Sequence, residues 1–80
     1  MTMRECVVKR IVELCMQRNW SFSKLAYVSA VPPSTVKNIL NGKSKNPGIV
    51  TIKKLCDGLD ITLIEFFDTD DFRNLEQEIK

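Results

Sequence analysis

The 80-residue sequence contains no histidine and few of the other residues that build catalytic or metal-binding sites. Without histidine there is no imidazole general base, no Ser-His nucleophile pair and no imidazole metal ligand. Its three glycines form no glycine-rich phosphate-binding loop. The composition therefore predicts a protein that is not an enzyme and that holds no cofactor and no metal ion.

Cysteine is also scarce, with Cys6, Cys15 and Cys56 forming an odd set that contains no CxxC pair. This spacing argues against a disulfide scaffold and against a zinc site, so we expect small buried residues in a reducing compartment. No apolar run approaches the roughly 20 residues of a membrane helix. Charges interrupt the apolar positions of the N-terminal stretch, which is unlike a signal peptide. The sequence predicts a cytoplasmic protein with no membrane association.

Acidic residues are rare in the first two thirds of the chain. Up to Cys56 there are ten basic residues and two acidic ones, a net charge of +8. From Asp57 onward there are two basic residues and eight acidic ones, a net charge of −6. A basic body with an acidic tail is typical of a polyanion-binding surface, although charge alone fits an ordinary solvated surface equally well.

The sequence is rich in helical periodicity and in helix start and stop signals. Ser21 is placed to cap a helix, Asn19 and Asp60 to end one, and the Val31-Pro32-Pro33 break separates the second helix from the third. Thr62 and Glu65 form a capping box. Five short helices are predicted, at about 4–18, 22–29, 33–41, 49–58 and 63–68.

The C-terminal stretch 69–80 has apolar residues at Phe72, Leu75 and Ile79, which share one helical face. It is predicted to be an acidic amphipathic helix or tail that follows a domain spanning residues 1–68. Its apolar face either covers the core of its own chain or pairs with a second copy. No segment alternates as a strand does, so the predicted fold is all-α.

The third predicted helix has two faces of opposite character. Its apolar face carries Val36, Ile39 and Leu40, and its polar face carries Ser34, Lys37, Asn38 and Asn41. Asparagine pairs with adenine, lysine reaches guanine acceptors and serine bonds to several base edges. A short preceding helix with small residues favours close helix crossing. These features are typical of a helix that enters a DNA major groove, and an ordinary solvated surface helix is the alternative.

The chain, from about Arg10 to Phe67, resembles the Cro/cI-type (XRE-family) helix-turn-helix domains. The residues that carry the resemblance are Leu25, Ala26, Ala30, Val31, Ser34, Thr35, Val36, Ile39, Gly42, Asn46, Pro47 and the segment TIKKLCDGLDITLIEFF. The resemblance implies a compact five-helix, lambda-repressor-like bundle whose second and third helices read DNA. It also implies a sequence-specific transcriptional regulator, a repressor, that binds double-stranded DNA as a homodimer. No small-molecule effector is evident from the sequence.

The resemblance also assigns residues to the DNA. Base-reading positions fall on Pro33, Ser34, Lys37 and Asn38. Phosphate-contacting positions fall on Ser21, Ser23, Lys24, Thr35, Asn41, Lys43 and Lys45. Hydroxyls at helix N-termini bind phosphate, and lysines make the affinity depend on salt.

Three positions depart from the family pattern. Phe22 stands where a phosphate-bonding Gln is frequent, Ala30 where the turn usually has Gly, and Pro32 where Ser or Thr often caps the third helix. Pro33 brings a ring that can contact a thymine methyl but no hydrogen-bonding side chain. We expect a narrower or weaker sequence preference than a Gln-rich helix gives. The alternative function is a protein-interaction module on the same fold, such as an antitoxin or a partner subunit.

Overall fold

Six helices and no strand make up the computed structural model, which describes residues 1–44 and 46–79. The helices are α1 Met3–Arg18, α2 Phe22–Ser29, α3 Pro33–Leu40, α4 Ile49–Leu59, α5 Leu63–Phe67 and α6 Asp70–Arg73. The prediction of an all-α bundle of five short helices with a short additional one is confirmed. None of the described helices is long and apolar enough to span a membrane.

Three of the helices end in the same way, on a residue with positive φ. Asn19, Ala30 and Asp60 have φ of 57°, 54° and 58° and follow α1, α2 and α4. The next residue then donates its N–H to a carbonyl five positions back: Trp20 to Cys15 at 2.9 Å, Val31 to Ala26 at 3.1 Å and Ile61 to Cys56 at 3.0 Å. This is the Schellman ending. The predicted stops at Asn19 and Asp60 are confirmed, and Ala30 adopts the same conformation without the tolerance of Asn or Asp.

Hydroxyl side chains cap three helix starts. Thr2 and Thr62 each form a reciprocal capping box, with Glu5 and Glu65 respectively. Ser21 accepts the Lys24 N–H at 3.1 Å and so caps α2, as the sequence predicts. Within the described part of the chain, no side chain caps the start of α3, which relies on two prolines whose ring fixes φ near the helical value.

The core lies where α2 packs against α3 and α4 and α1 closes the bundle. Its fully buried members include Ile11, Leu25, Ile39, Leu55 and Phe66. All three cysteines are buried and free, and burial raises the pKa of each thiol. They are small apolar core residues, as predicted.

A glycine sets the distance between α2 and α4. A Cβ at Gly58 would lie 3.0 Å from the Cα and Cβ of Ser29, and closer still to the Ser29 Oγ. Ser29 is buried and its Oγ has no hydrogen-bond partner among the described residues. The backbone of α4 at Gly58 therefore lies directly against Ser29 of α2. This close contact positions α2 and also α3, which follows it.

The sixth helix is a single turn, shorter than the spacing through Ile79 predicts. Phe72 packs on Phe66 and Phe67, with ring centroids 6.1 and 4.9 Å apart. The helix ends at Arg73, and Ile79 is 88% exposed. The sequence left two roles open for this apolar face. Phe72 has the first of them, because it covers the core of its own chain. Leu75 is half-buried although it lies beyond the end of the helix, and a helix of a single turn is not stable by itself.

Candidate nucleic-acid interface

The α2–α3 pair places one face of α3 in solvent and the other in the core. Val36 and Ile39 are buried and Leu40 is half-buried, which holds α3 against the bundle. The opposite face, with Ser34, Lys37, Asn38 and Asn41, is exposed. Gly42 follows the helix and has a φ of 82°, so the chain changes direction directly after α3.

A groove of about 580 Å³ runs between the start of α2 and α3. It is lined by Phe22, Ser23, Pro33, Ser34, Lys37 and Leu40. The fold thus brings together three of the four residues predicted to read bases. Asn38, the fourth, is exposed on α3 but does not line the groove.

The predicted phosphate-contacting residues have several different environments. Ser21 accepts the Lys24 N–H and keeps its hydroxyl hydrogen for another acceptor. Ser23 is exposed beside it, at a helix start whose first N–H groups have no intrahelical partner. This end of α2 therefore offers several donors to an anion.

On the far side of α3, the side chain of Asn41 accepts the Lys43 N–H at 3.0 Å and shapes the turn. Its side-chain amide N–H groups are left as donors. Thr35 is half-buried at the start of α3. Lys45 lies outside the described residues.

Lysines surround this face without acidic partners. Lys24, Lys37 and Lys43 are exposed, and none of them forms an ion pair within residues 1–44 and 46–79. The Lys24 ammonium lies 5.8 Å from the ring centroid of Trp20, which is within the range of a cation–π contact. The cations here remain available to an external anion.

The arginines are used differently, and this was missed from the sequence. Arg10 donates from Nε to the Phe66 carbonyl at 2.7 Å and from Nη2 to the Glu65 carbonyl at 2.8 Å. Arg18 donates to the Leu59 carbonyl at 2.9 Å. These contacts span more than 40 residues and end on backbone atoms, so no side-chain pattern in the sequence signals them.

Two lysines are also paired away from α3: Lys9 with Asp71 at 2.7 Å, and Lys53 with Asp57. The net charge of +8 therefore overstates the charge that this part of the chain can offer to DNA. Among the described residues, no group of three acidic or cysteine side chains is placed to hold a metal ion.

A short turn joining two helices, the second with hydrogen-bond donors and no carboxylate on its exposed face, defines a helix-turn-helix DNA-binding module. The family model of the Cro/C1-type HTH DNA-binding domain matches residues 10–71, and the chain belongs to this family. The crystal structure of the prophage Lp1 protein 11 is similar, with a TM-score of 0.82 and 33% identity. The match covers 94% of this chain and 99% of that one. No curated protein is similar enough in sequence to match.

Proposed function

We propose that the protein is a sequence-specific, cytoplasmic transcriptional regulator that represses by occupying double-stranded DNA, with α3 in the major groove. The observation that carries this proposal is the exposed face of α3, where hydroxyl, ammonium and amide groups stand beside lysines on a Cro/C1-type domain. Repression requires only that a promoter be occupied. The similarity to a prophage protein supports a control protein of phage or mobile-element type.

In this proposal the residues have two roles. Pro33, Ser34, Lys37 and Asn38 read base edges, with the Asn38 amide suited to adenine and the Lys37 ammonium to guanine acceptors. The backbone contacts come from Ser21, Ser23, Lys24, Thr35, Asn41, Lys43 and Lys45. Phosphate contacts set the register of α3 on the duplex, and base contacts choose the sequence.

The proposed assembly is a homodimer joined through α5. Leu63, Ile64 and Phe67 line an open, largely apolar depression, and Ile64 is 81% exposed there. Covering such a surface with a second copy removes apolar area from water. The two α3 helices of a dimer would then meet half-sites about 34–36 Å apart, one turn of DNA. No small-molecule effector enters this proposal.

The first test selects duplexes from a random library and measures their affinity by fluorescence anisotropy, against scrambled duplexes, at 50 and 200 mM salt. A dimer that neutralises about six to ten phosphates loses about 10³–10⁵ in affinity over this range. Asn38→Ala should relax selectivity at one base position, at a cost of about 1–3 kcal/mol. The matched control is Lys9→Ala on α1, which removes a cation that is paired with Asp71. This variant should leave selectivity unchanged.

Equal binding to selected and scrambled duplexes would contradict the proposal. It would favour the second candidate, a protein-interaction module on the same fold. The observation that favours this candidate is the exposure of two apolar side chains, Ile49 and Val50, at the start of α4. Sedimentation equilibrium of the wild type and of Ile64→Glu tests the dimer separately, and a change to monomer in the variant supports the α5 interface.

A further inference from the structure

Phe22 is an aromatic residue whose exposure the fold does not explain. It is the first residue of α2, between Ser21 and Ser23, and 43% of its surface is exposed. It is not among the partly buried side chains that pack on the core, which include Trp20 and Leu40. Phe22 lines a groove together with Pro33 and Leu40, so it belongs to an apolar patch shared by two helices, and such a patch points to a contact outside the chain.

The groove beside Phe22 has apolar walls from two helices. On α3, Pro33, Lys37 and Leu40 recur at intervals of four and three residues, so they form one stripe along the helix. The Phe22 ring forms the wall contributed by α2. Ser23, Ser34 and Lys37 supply the polar groups of the lining.

The groove is continuous with the residues proposed to read bases, because Pro33, Ser34 and Lys37 belong to both. When α3 lies in the major groove, a DNA group that enters this groove of the protein therefore belongs to a base edge. There, thymine is the base that presents a methyl group, next to its O4 acceptor. An apolar groove takes the methyl group, and the Ser34 hydroxyl or the Lys37 ammonium donates to O4. Cytosine has no methyl group for the apolar walls and presents an amino donor at that place, which the Lys37 ammonium cannot accept.

We propose that the groove between Phe22 and Pro33 receives the 5-methyl group of a thymine, so that Phe22 is a specificity-determining residue. This inference rests on the proposed function, because it requires α3 to lie in a major groove. It goes further in naming the base that is read and in assigning part of the reading to α2.

The test replaces each thymine of a selected duplex, one at a time, by deoxyuridine, which differs only in lacking the methyl group. The expected result is one position in each half-site where affinity falls about fourfold, the value of burying one methyl-sized group. In Phe22→Gln the difference between thymine and deoxyuridine should disappear at that position. Met16→Gln makes a similar apolar-to-amide change at an exposed site on α1 and should keep the fourfold difference.

The outcomes separate the inference from the proposed function. If the selected duplex binds specifically but every deoxyuridine substitution is neutral, the inference is overturned and the function stands. If the discrimination survives in Phe22→Gln, another residue reads the methyl group and the inference is again overturned. If no duplex is preferred over another, the proposed function fails and the inference fails with it. The deoxyuridine scan of the wild type needs no variant, so a neutral scan overturns the inference even if Phe22→Gln does not fold. In that case Phe22→Ser replaces Phe22→Gln as the variant that should lose the discrimination.

Discussion

Cations are present on two regions of the molecule, the side formed by α1 and α5 and the face formed by α2 and α3. The roles of these cations differ between the two regions. On the first side, Arg10 donates to two backbone carbonyls at the end of α5 and its side chain is 15% exposed. On the second, Lys24, Lys37 and Lys43 are exposed and unpaired within the described residues. The first set stabilises the fold, and the second is available to bind an anion.

A count of charged residues therefore does not locate a binding face. Guanidinium groups suit the first side, because a planar fork can satisfy two carbonyls at once. Lysines suit the second, because a mobile ammonium group can follow a phosphate without ordering the protein first. We therefore expect substitutions on the side formed by α1 and α5 to alter stability, and substitutions on the α2–α3 face to alter DNA binding.

The largest effect is expected from Arg10→Met. It removes two charge-assisted hydrogen bonds and leaves the Phe66 carbonyl without a partner, while the Glu65 carbonyl keeps the Asp68 N–H. This loss should lower the free energy of unfolding by about 3 kcal/mol. Urea denaturation measures this value. Arg4→Met, on the same helix but with no hydrogen bond to a carbonyl among the described residues, should change stability by less than about 0.5 kcal/mol. An equal loss of stability in the two variants would contradict this prediction.

The next effect is expected at Ala30, where α2 meets α3. Alanine at φ of 54° is strained, and Ala30 is exposed, so Ala30→Gly leaves no cavity. Relief of the strain, less the extra chain entropy of glycine, should stabilise the fold by about 1 kcal/mol. Ala30→Val should have the opposite sign, since a β-branched residue tolerates positive φ poorly. Thermal melting of both variants checks the prediction, and a stabilised Ala30→Val would contradict it.

A smaller effect is expected from Lys43→Gln on the binding face. Loss of one phosphate contact should reduce the slope of log affinity against log salt by about 0.9 and weaken binding to all duplexes alike. Stability should be unchanged. Lys9→Gln, at a lysine paired with Asp71, should leave the salt slope as it is. Titrations of both variants over a series of salt concentrations compare the two regions directly.

The smallest effect is a pH dependence at the start of α1. The Thr2 backbone N–H donates to Glu5 at 2.8 Å, and this hydrogen bond lowers the pKa of Glu5 below its ordinary value of 4.5. Because the folded pKa is the lower one, the stabilisation is complete above pH 4.5 and is lost as the pH falls through the lowered pKa. In Glu5→Gln, which can keep the capping hydrogen bond but does not titrate, this small loss should be absent. Urea denaturation at pH 3 and pH 6 measures the difference.

The predictions from sequence succeeded where the signal is local. The bounds of α2 and the ends of α1 and α4 came from Ser21, Asn19 and Asp60, which act on backbone groups within three to five positions. The start of α3 followed from two consecutive prolines. The polar face of α3 followed from helical spacing. The assignment of individual residues to bases and phosphates remains a prediction, which the binding experiments above test.

The sequence predictions were incomplete where a feature needs groups from distant parts of the chain. Periodicity extended α6 through Ile79, yet the helix stops at Arg73. Phe72 packs on Phe66 and Phe67, whereas Ile79 is exposed and adds no packing that would extend the helix. Phe22 was read as a departure from a family pattern, and its place in a groove with α3 became visible only in three dimensions.

By itself, therefore, the sequence determined the helices, the two-faced character of α3 and the family, because caps, prolines and apolar spacing act over a few residues. The tertiary structure decided which cations face solvent and which are bonded to carbonyls, where the groove between α2 and α3 lies, and where the C-terminal helix ends. Each of these depends on atoms far apart in the chain, whose proximity is set by the packing of α2 against α4 and of α1 against α5 and α6.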